Sequence, residues 1–189
     1  MSKIQLGLPI VAATDSPSKS NNNERAFRFN NASTTTILRT STANDKSQTI
    51  TVYADGLCEP NPNGKGCWGW VAFDPKGERV ACGWGFAGSG AGMTNNVAEF
   101  TAIIEALRWI TTTAPGTQVE LLSDSQVAVR QILGEYACNK AHLRELRDEA
   151  LSLVARADVT LRWIPREQNT EADALSQRAY REASRRAAV

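Results

Sequence analysis

The chain of 189 residues contains a single histidine, His142, and its four cysteines show no Cys-x-x-Cys spacing. Cys58, Cys67, Cys82 and Cys138 therefore outline neither a zinc site nor a disulfide framework. They read as free thiols of a reducing, cytoplasmic compartment. Neither charge is in excess, the formal net charge being +1. Residues 1–48 hold six Lys or Arg and three Asp or Glu, which leaves fifteen against seventeen for the remainder. Composition alone thus does not point to nucleic acid, and a slightly acidic domain would bind a polyanion weakly and with strong salt dependence. Long apolar runs are also missing. The stretch Ile4 to Ala13 contains Pro9 and is too short to cross a membrane, so no membrane partner is expected, although a targeting role for this end stays open.

With 42% hydrophobic residues the chain can bury one core of ordinary size. It divides once, near residue 48. Ser, Thr and Asn make up 19 of the first 48 residues, without sustained periodicity, which predicts a disordered tail before a domain at 49–189. From there the pattern predicts strands at 49–54, 67–73 and 79–87, a helix at 95–113, a strand at 118–123, helices at 125–134 and 140–155, a strand at 158–164 and a helix at 170–184. Turn residues at Pro60-Asn61-Pro62-Asn63-Gly64 and Asp74-Pro75-Lys76-Gly77 suit antiparallel hairpins, and the later strand–helix alternation suits parallel pairing. The expected fold is α/β: a mixed five-stranded sheet, three antiparallel strands followed by parallel ones, with helices on both faces. Trp68, Trp70, Trp84, Trp109 and Trp163 fall inside regular elements and read as packing residues.

Four acids stand out against this frame. Asp55 is expected to end the strand Thr49 to Ala54, Glu99 lies early in a helix opened by Thr94-Asn95-Asn96, Asp124 follows the strand Val119 to Ser123, and Asp173 opens a helix after Asn169-Thr170. Taken one at a time these are turn, capping or surface acids. Together they lie where strands end and helices begin, the edge at which α/β sheets place ligands. Carboxylates gathered there repel one another and stay ionised only beside a multivalent cation. With no His or Cys nearby, the donor set suits magnesium or manganese rather than zinc or copper. Two such ions about 4 Å apart can hold both the attacking and the leaving oxygen of a phosphodiester, so the chemistry suggested is phosphodiester hydrolysis.

The motifs Tyr53-Ala54-Asp55-Gly56, Asn61-Pro62 with Gly64 and Gly66, Thr94-Asn95-Asn96 with Glu99, Ser123-Asp124-Ser125-Gln126 and Asn169-Thr170-Glu171-Ala172-Asp173 occur in this order. In that order and spacing the chain, over about residues 49 to 184, resembles type 1 ribonuclease H. The resemblance implies a ribonuclease H-like fold and an endonuclease that cuts the RNA strand of RNA–DNA hybrids, leaving 5′-phosphate and 3′-hydroxyl ends. It implies Asp55, Glu99, Asp124 and Asp173 as catalytic ligands of two Mg2+ ions, with Mn2+ as a substitute. By the same likeness Gly56, Asn61, Asn95, Asn96 and Gln126 would face the minor groove, where the 2′-hydroxyl marks RNA, and Thr94 would touch a DNA phosphate. A monomer is expected.

Two features depart from the best-known bacterial pattern. The segment Trp163 to Asn169 is short and has no histidine, leaving Arg166 or Glu167 as stand-ins, and His142 is expected on the surface. The basic protrusion is missing too, since Gln131 to Tyr136 leads almost directly into the next helix. Phosphate binding would then fall to Lys140, Arg144 and Arg147, or to Arg178, Arg181, Arg185 and Arg186, each of which also reads as a solvated helix face. The alternative is a catalytically silent nucleic-acid-binding module on the same fold, which would gain nothing from four repelling acids.

Overall fold

The computed structural model describes residues 27–28 and 49–186. Strands β1 (Phe27–Arg28), β2 (Ile50–Glu59), β3 (Lys65–Phe73), β4 (Arg79–Ser89), β5 (Gln118–Ser123) and β6 (Asp158–Trp163) form one sheet in the order β1-β6-β5-β2-β3-β4. The helices are α1 (Asn95–Thr113), α2 (Gln126–Ile132), α3 (Ala141–Val154) and α4 (Thr170–Arg186). As expected, β2, β3 and β4 run antiparallel, and β5 and β6 join β2 in parallel. The two-residue β1 adds an antiparallel edge outside β6, so Phe27 and Arg28 are exceptions to the expected tail. The rest of that expectation, residues 1–26 and 29–48, lies outside the described residues.

One boundary is corrected. Asp55 does not end its strand; β2 continues to Glu59, because Asp55 and Gly56 pair with Gly69 and Trp68 on β3 and the chain turns only at Pro60 to Gly64. Asp55 consequently sits in the middle of a paired strand. Its neighbours alternate between faces. Val52, Ala54 and Gly56 turn toward α1, whereas Asp55 and its partner Gly69 turn toward α4.

Phe100, Ile103, Leu107 and Ile110 of α1 repeat at helical spacing and are fully buried with Val52, Val119, Leu121 and Leu161 of the sheet. These large side chains supply on the order of 2 kcal/mol each by burial. Trp70 is buried and stacks on Trp109, with ring centroids 5.0 Å apart, as expected of packing residues. Both helices come close to the central strands over glycine. A side chain at Gly56 would collide with the backbone of Ala98 and Glu99, and a Cβ at Gly69 would lie 2.5 Å from the Ser176 amide nitrogen. These two glycines let α1 and α4 approach Asp55 from opposite sides of the sheet.

Candidate active site

Asp55 and Glu99 are 5% and 6% exposed, the only buried acids among the described residues, and Asp124 beside them is half-buried. Carboxylate oxygens of these three residues lie within 4.8 Å of one another. The parallel pairing of β2 with β5 places Ala54 beside Ser123, which brings the acids that follow them, Asp55 in β2 and Asp124 just after β5, to neighbouring positions. Glu99 reaches them from the second turn of α1, where the contact over Gly56 lowers the helix onto β2.

Uncharged donors hold each acid of the cluster. Glu99 accepts from the Gly56 amide at 3.0 Å and from Asn95 Nδ2 at 3.2 Å. Asn95 is itself tied down, its Oδ1 accepting from Cys58 N at 3.1 Å and its amide donating to Asn61 Oδ1 at 3.0 Å. Thr94 caps α1, accepting from Val97 N at 3.3 Å. Asp124 accepts from Asn169 Nδ2 at 2.7 Å, and the same amide group donates to Ala54 O at 3.0 Å. Trp163 Nε1 fixes the backbone by donating to Asp124 O at 3.1 Å. Asp55 Oδ2 takes the hydroxyl of Ser176, a fully buried residue of α4.

Asp173 is placed differently. It is not among the three mutually close acids. Its carboxylate faces Arg166 at 3.2 Å and accepts from Gln177 Nε2 at 2.6 Å. It is nonetheless close enough for its charge to raise the Asp55 carboxyl, and it draws the Arg166 guanidinium upward. The structure therefore brings three of the four expected acids together and sets the fourth beside them with a cation.

Electrostatics follow from this arrangement. Burial is the largest influence on Asp55 and lifts its carboxyl from 3.8 to about 6; the Ser176 hydroxyl opposes the shift, Asp124 and Asp173 add to it, and the neighbouring Arg166 guanidinium, not paired with Asp55, lowers it by the least. Glu99 is pushed well above its ordinary value, again by burial first and then by Asp55 and Asp124. Among the described residues no Lys or Arg forms an ion pair with Asp55, Glu99 or Asp124. Buried carboxylates without a protein cation are costly unless something else supplies positive charge. An all-oxygen donor set of this kind fits a hard divalent cation.

The other expected site residues differ in exposure. Asn61 and Gln126 are exposed, and Thr94, Asn95 and Asn96 are half-buried at the start of α1. The Gly56 N–H and one hydrogen of the Asn95 side-chain amide are engaged on Glu99, and Asn95 Oδ1 accepts from Cys58 N. His142 is exposed on α3, as expected. Sequence reasoning missed two residues. Asn169 looked like a helix opener yet is fully buried as a link between β2 and β5, and Ser176 carried no motif signal at all. The one available hint was their spacing from Asp173 on a helix, which puts residues three or four apart on the same face.

A mixed sheet with helices on both faces and an acidic cluster at its centre defines the ribonuclease H-fold class. The reverse transcriptase-like family model matches residues 54–179. Ribonuclease HI of Halobacterium salinarum is 34% identical over 74% of this chain and 68% of its own length. Ribonuclease HI of Caulobacter vibrioides is 31% identical over 72% of this chain and 96% of its own. The crystal structure of LC11-RNase H1 in complex with RNA/DNA hybrid superposes with a TM-score of 0.65 at 30% identity, covering 71% of this chain and 98% of that one. Within the class, this chain belongs to the type 1 ribonuclease H family, and it is a ribonuclease H enzyme.

Proposed function

We propose that the protein is an endonuclease that hydrolyses the RNA strand of RNA–DNA hybrids, using two Mg2+ ions that Mn2+ can replace, and that it leaves 5′-phosphate and 3′-hydroxyl ends. The observation that carries this reading is the convergence of Asp55, Glu99 and Asp124 within 4.8 Å with no Lys or Arg among the described residues paired to them. The complex of LC11-RNase H1 with an RNA/DNA hybrid supports the choice of substrate. Bound divalent ions would supply an activated water and neutralise charge on the reacting phosphate. Asp55, Glu99, Asp124 and Asp173 would hold them.

The chain's own groups prepare that site. Asn95 and Gly56 fix the Glu99 carboxylate, and Asn169 fixes Asp124 against Ala54 in the middle of β2. Of the two candidates for the missing loop histidine, Arg166 is the one that reaches an acid of the site. A guanidinium keeps its proton, so Arg166 can hold Asp173 or a phosphate oxygen but cannot carry protons. Asn61, Asn96 and Gln126 would meet the hybrid's minor groove, where an amide can donate to or accept from a 2′-hydroxyl. Residues 49–189 would suffice for the reaction, acting as a monomer.

The test is cleavage of matched RNA–DNA, RNA–RNA and DNA–DNA duplexes with and without Mg2+. Magnesium-dependent cutting confined to the RNA of the hybrid, with ends that accept 3′ extension, is the expected result. Hybrid binding without cleavage at any Mg2+ or Mn2+ concentration would instead establish a silent module, and equal cutting of DNA–DNA would refute the substrate.

A further inference from the structure

Ser176 lies three residues beyond Asp173 on α4 and is fully buried. Its hydroxyl reaches two acceptors, Asp55 Oδ2 and, at 3.0 Å, the backbone carbonyl of Asp173. One hydroxyl has one hydrogen and cannot serve both. A serine within a helix ordinarily turns its hydrogen back on a carbonyl of the preceding turn. A hydrogen bond to an ionised carboxylate is roughly twice as strong as one between neutral groups, so an ionised Asp55 takes the hydrogen.

Ser176 reaches Asp55 because the backbone permits it. Gly69 is the cross-strand partner of Asp55, and a Cβ there would press on Leu175, on Ser176 N and on the Ala172 carbonyl. Without that atom α4 settles against β3, and Ser176 arrives over the carboxylate. An aspartate's terminal torsion has no sharply preferred angle of its own. Pinning Oδ2 therefore fixes the plane of the group.

We propose that Ser176 is a positioning residue that orients the Asp55 carboxylate for the divalent cation shared with Glu99 and Asp124, a role that rests on the metal reading given above. The pattern across the cluster supports it. Asn95 and the Gly56 amide orient Glu99, Asn169 orients Asp124, and Ser176 orients Asp55, all of them uncharged. Neutral donors set the direction of each acid and leave its charge for the cation. Asp173, outside the trio, is the acid that an arginine holds. A hydrogen-bonding partner behind a metal-ligating side chain typically contributes 10–100-fold in metal affinity.

The experiment is calorimetric titration of Mg2+, and separately Mn2+, into the metal-free full-length protein, its Ser176→Ala variant and its Ser176→Cys variant. Ser176→Ala keeps a helix-favouring residue of nearly the same size, and Ser176→Cys replaces a strong donor with a weak one. Affinity is expected to fall at least about tenfold in Ser176→Ala and by less in Ser176→Cys, with cleavage shifted to higher Mg2+ by the same factors. A serine that serves only the fold would instead change the melting temperature of the metal-free protein and leave the metal affinity alone. Equal affinities in all three proteins overturn the proposal. Absence of Mg2+ and Mn2+ binding by the wild type would overturn the metal reading itself, a failure visible in the unmodified protein.

Discussion

Replacing Asp55 by Asn separates what this carboxylate does for the fold from what it does for the reaction. Burial and neighbouring acids raise its pKa from 3.8 to about 6, so the native state holds the proton more tightly than the unfolded chain does. Wild-type stability is accordingly favoured below about pH 4, falls as the pH rises from about 4 to about 6, and is level above. Two pK units correspond to about 3 kcal/mol. The neutral amide of the Asp55→Asn variant would carry no such penalty, and its oxygen could still accept the Ser176 hydroxyl. It would also relieve Glu99, whose carboxyl Asp55 helps to push upward. In EDTA at pH 7.5, Asp55→Asn should therefore exceed the wild type by up to about 3 kcal/mol, or roughly 6–12 °C in melting temperature for a protein of this size. The gain should shrink to about 1 kcal/mol near pH 4.5. Added Mg2+ should close that gap at a hundredfold excess over Kd, which stabilises a binding protein by about 2.7 kcal/mol, and reverse the order at a thousandfold excess, about 4.1 kcal/mol, since the variant lacks a ligand. Urea unfolding at both pH values, with and without Mg2+, reads all three terms, and hybrid cleavage should be lost throughout. A variant no more stable than the wild type in EDTA at pH 7.5, or one that gains as much from Mg2+, would refute the reasoning.

Three further outcomes are expected. Gly69→Ala should lower stability by about 2 kcal/mol or more, as overpacking against helix backbone does, and should depress cleavage even at a temperature where the protein is folded; denaturant unfolding and kinetics at saturating Mg2+ check both. Replacing Arg185 and Arg186, exposed in the last turn of α4, with Ala should raise KM more than it lowers kcat and flatten the salt dependence of hybrid binding by up to about one unit of slope per lost phosphate contact; coincident salt titrations would show that this end makes no such contact. A chain starting at residue 49 loses only β1 from the described sheet and should melt within a few degrees of the full protein with its magnesium-dependent cleavage intact, which thermal unfolding and a cleavage assay test directly.

The sheet and its helices were legible because their apolar periodicities are strong, and the five motifs located each acid. What could not be read was local in a different way. Asp-Gly is a turn signal by itself, and only its pairing with Trp68 and Gly69 keeps β2 extended to Glu59. Asn169 has the composition of a helix opener, and its role as a link between two strands depends on their parallel register. Three of the four expected acids lie within 4.8 Å of one another, and the pairing of the fourth, Asp173, with Arg166 had no signal in any motif. Ser176 was invisible since its partner is 121 residues away.

Gly56 and Gly69 lie on opposite faces of the sheet, and each lets a helix rest directly on backbone. Errors of placement in the acids are thus limited by main-chain contact, which has no rotamers with which to adapt. A search for improved or altered variants that randomises only the acids and their visible neighbours would leave this hinge-free seat untouched. Conversely, the smallest change available to protein chemistry, one methyl group, would at Gly69 act on the site from beneath, through the backbone of α4.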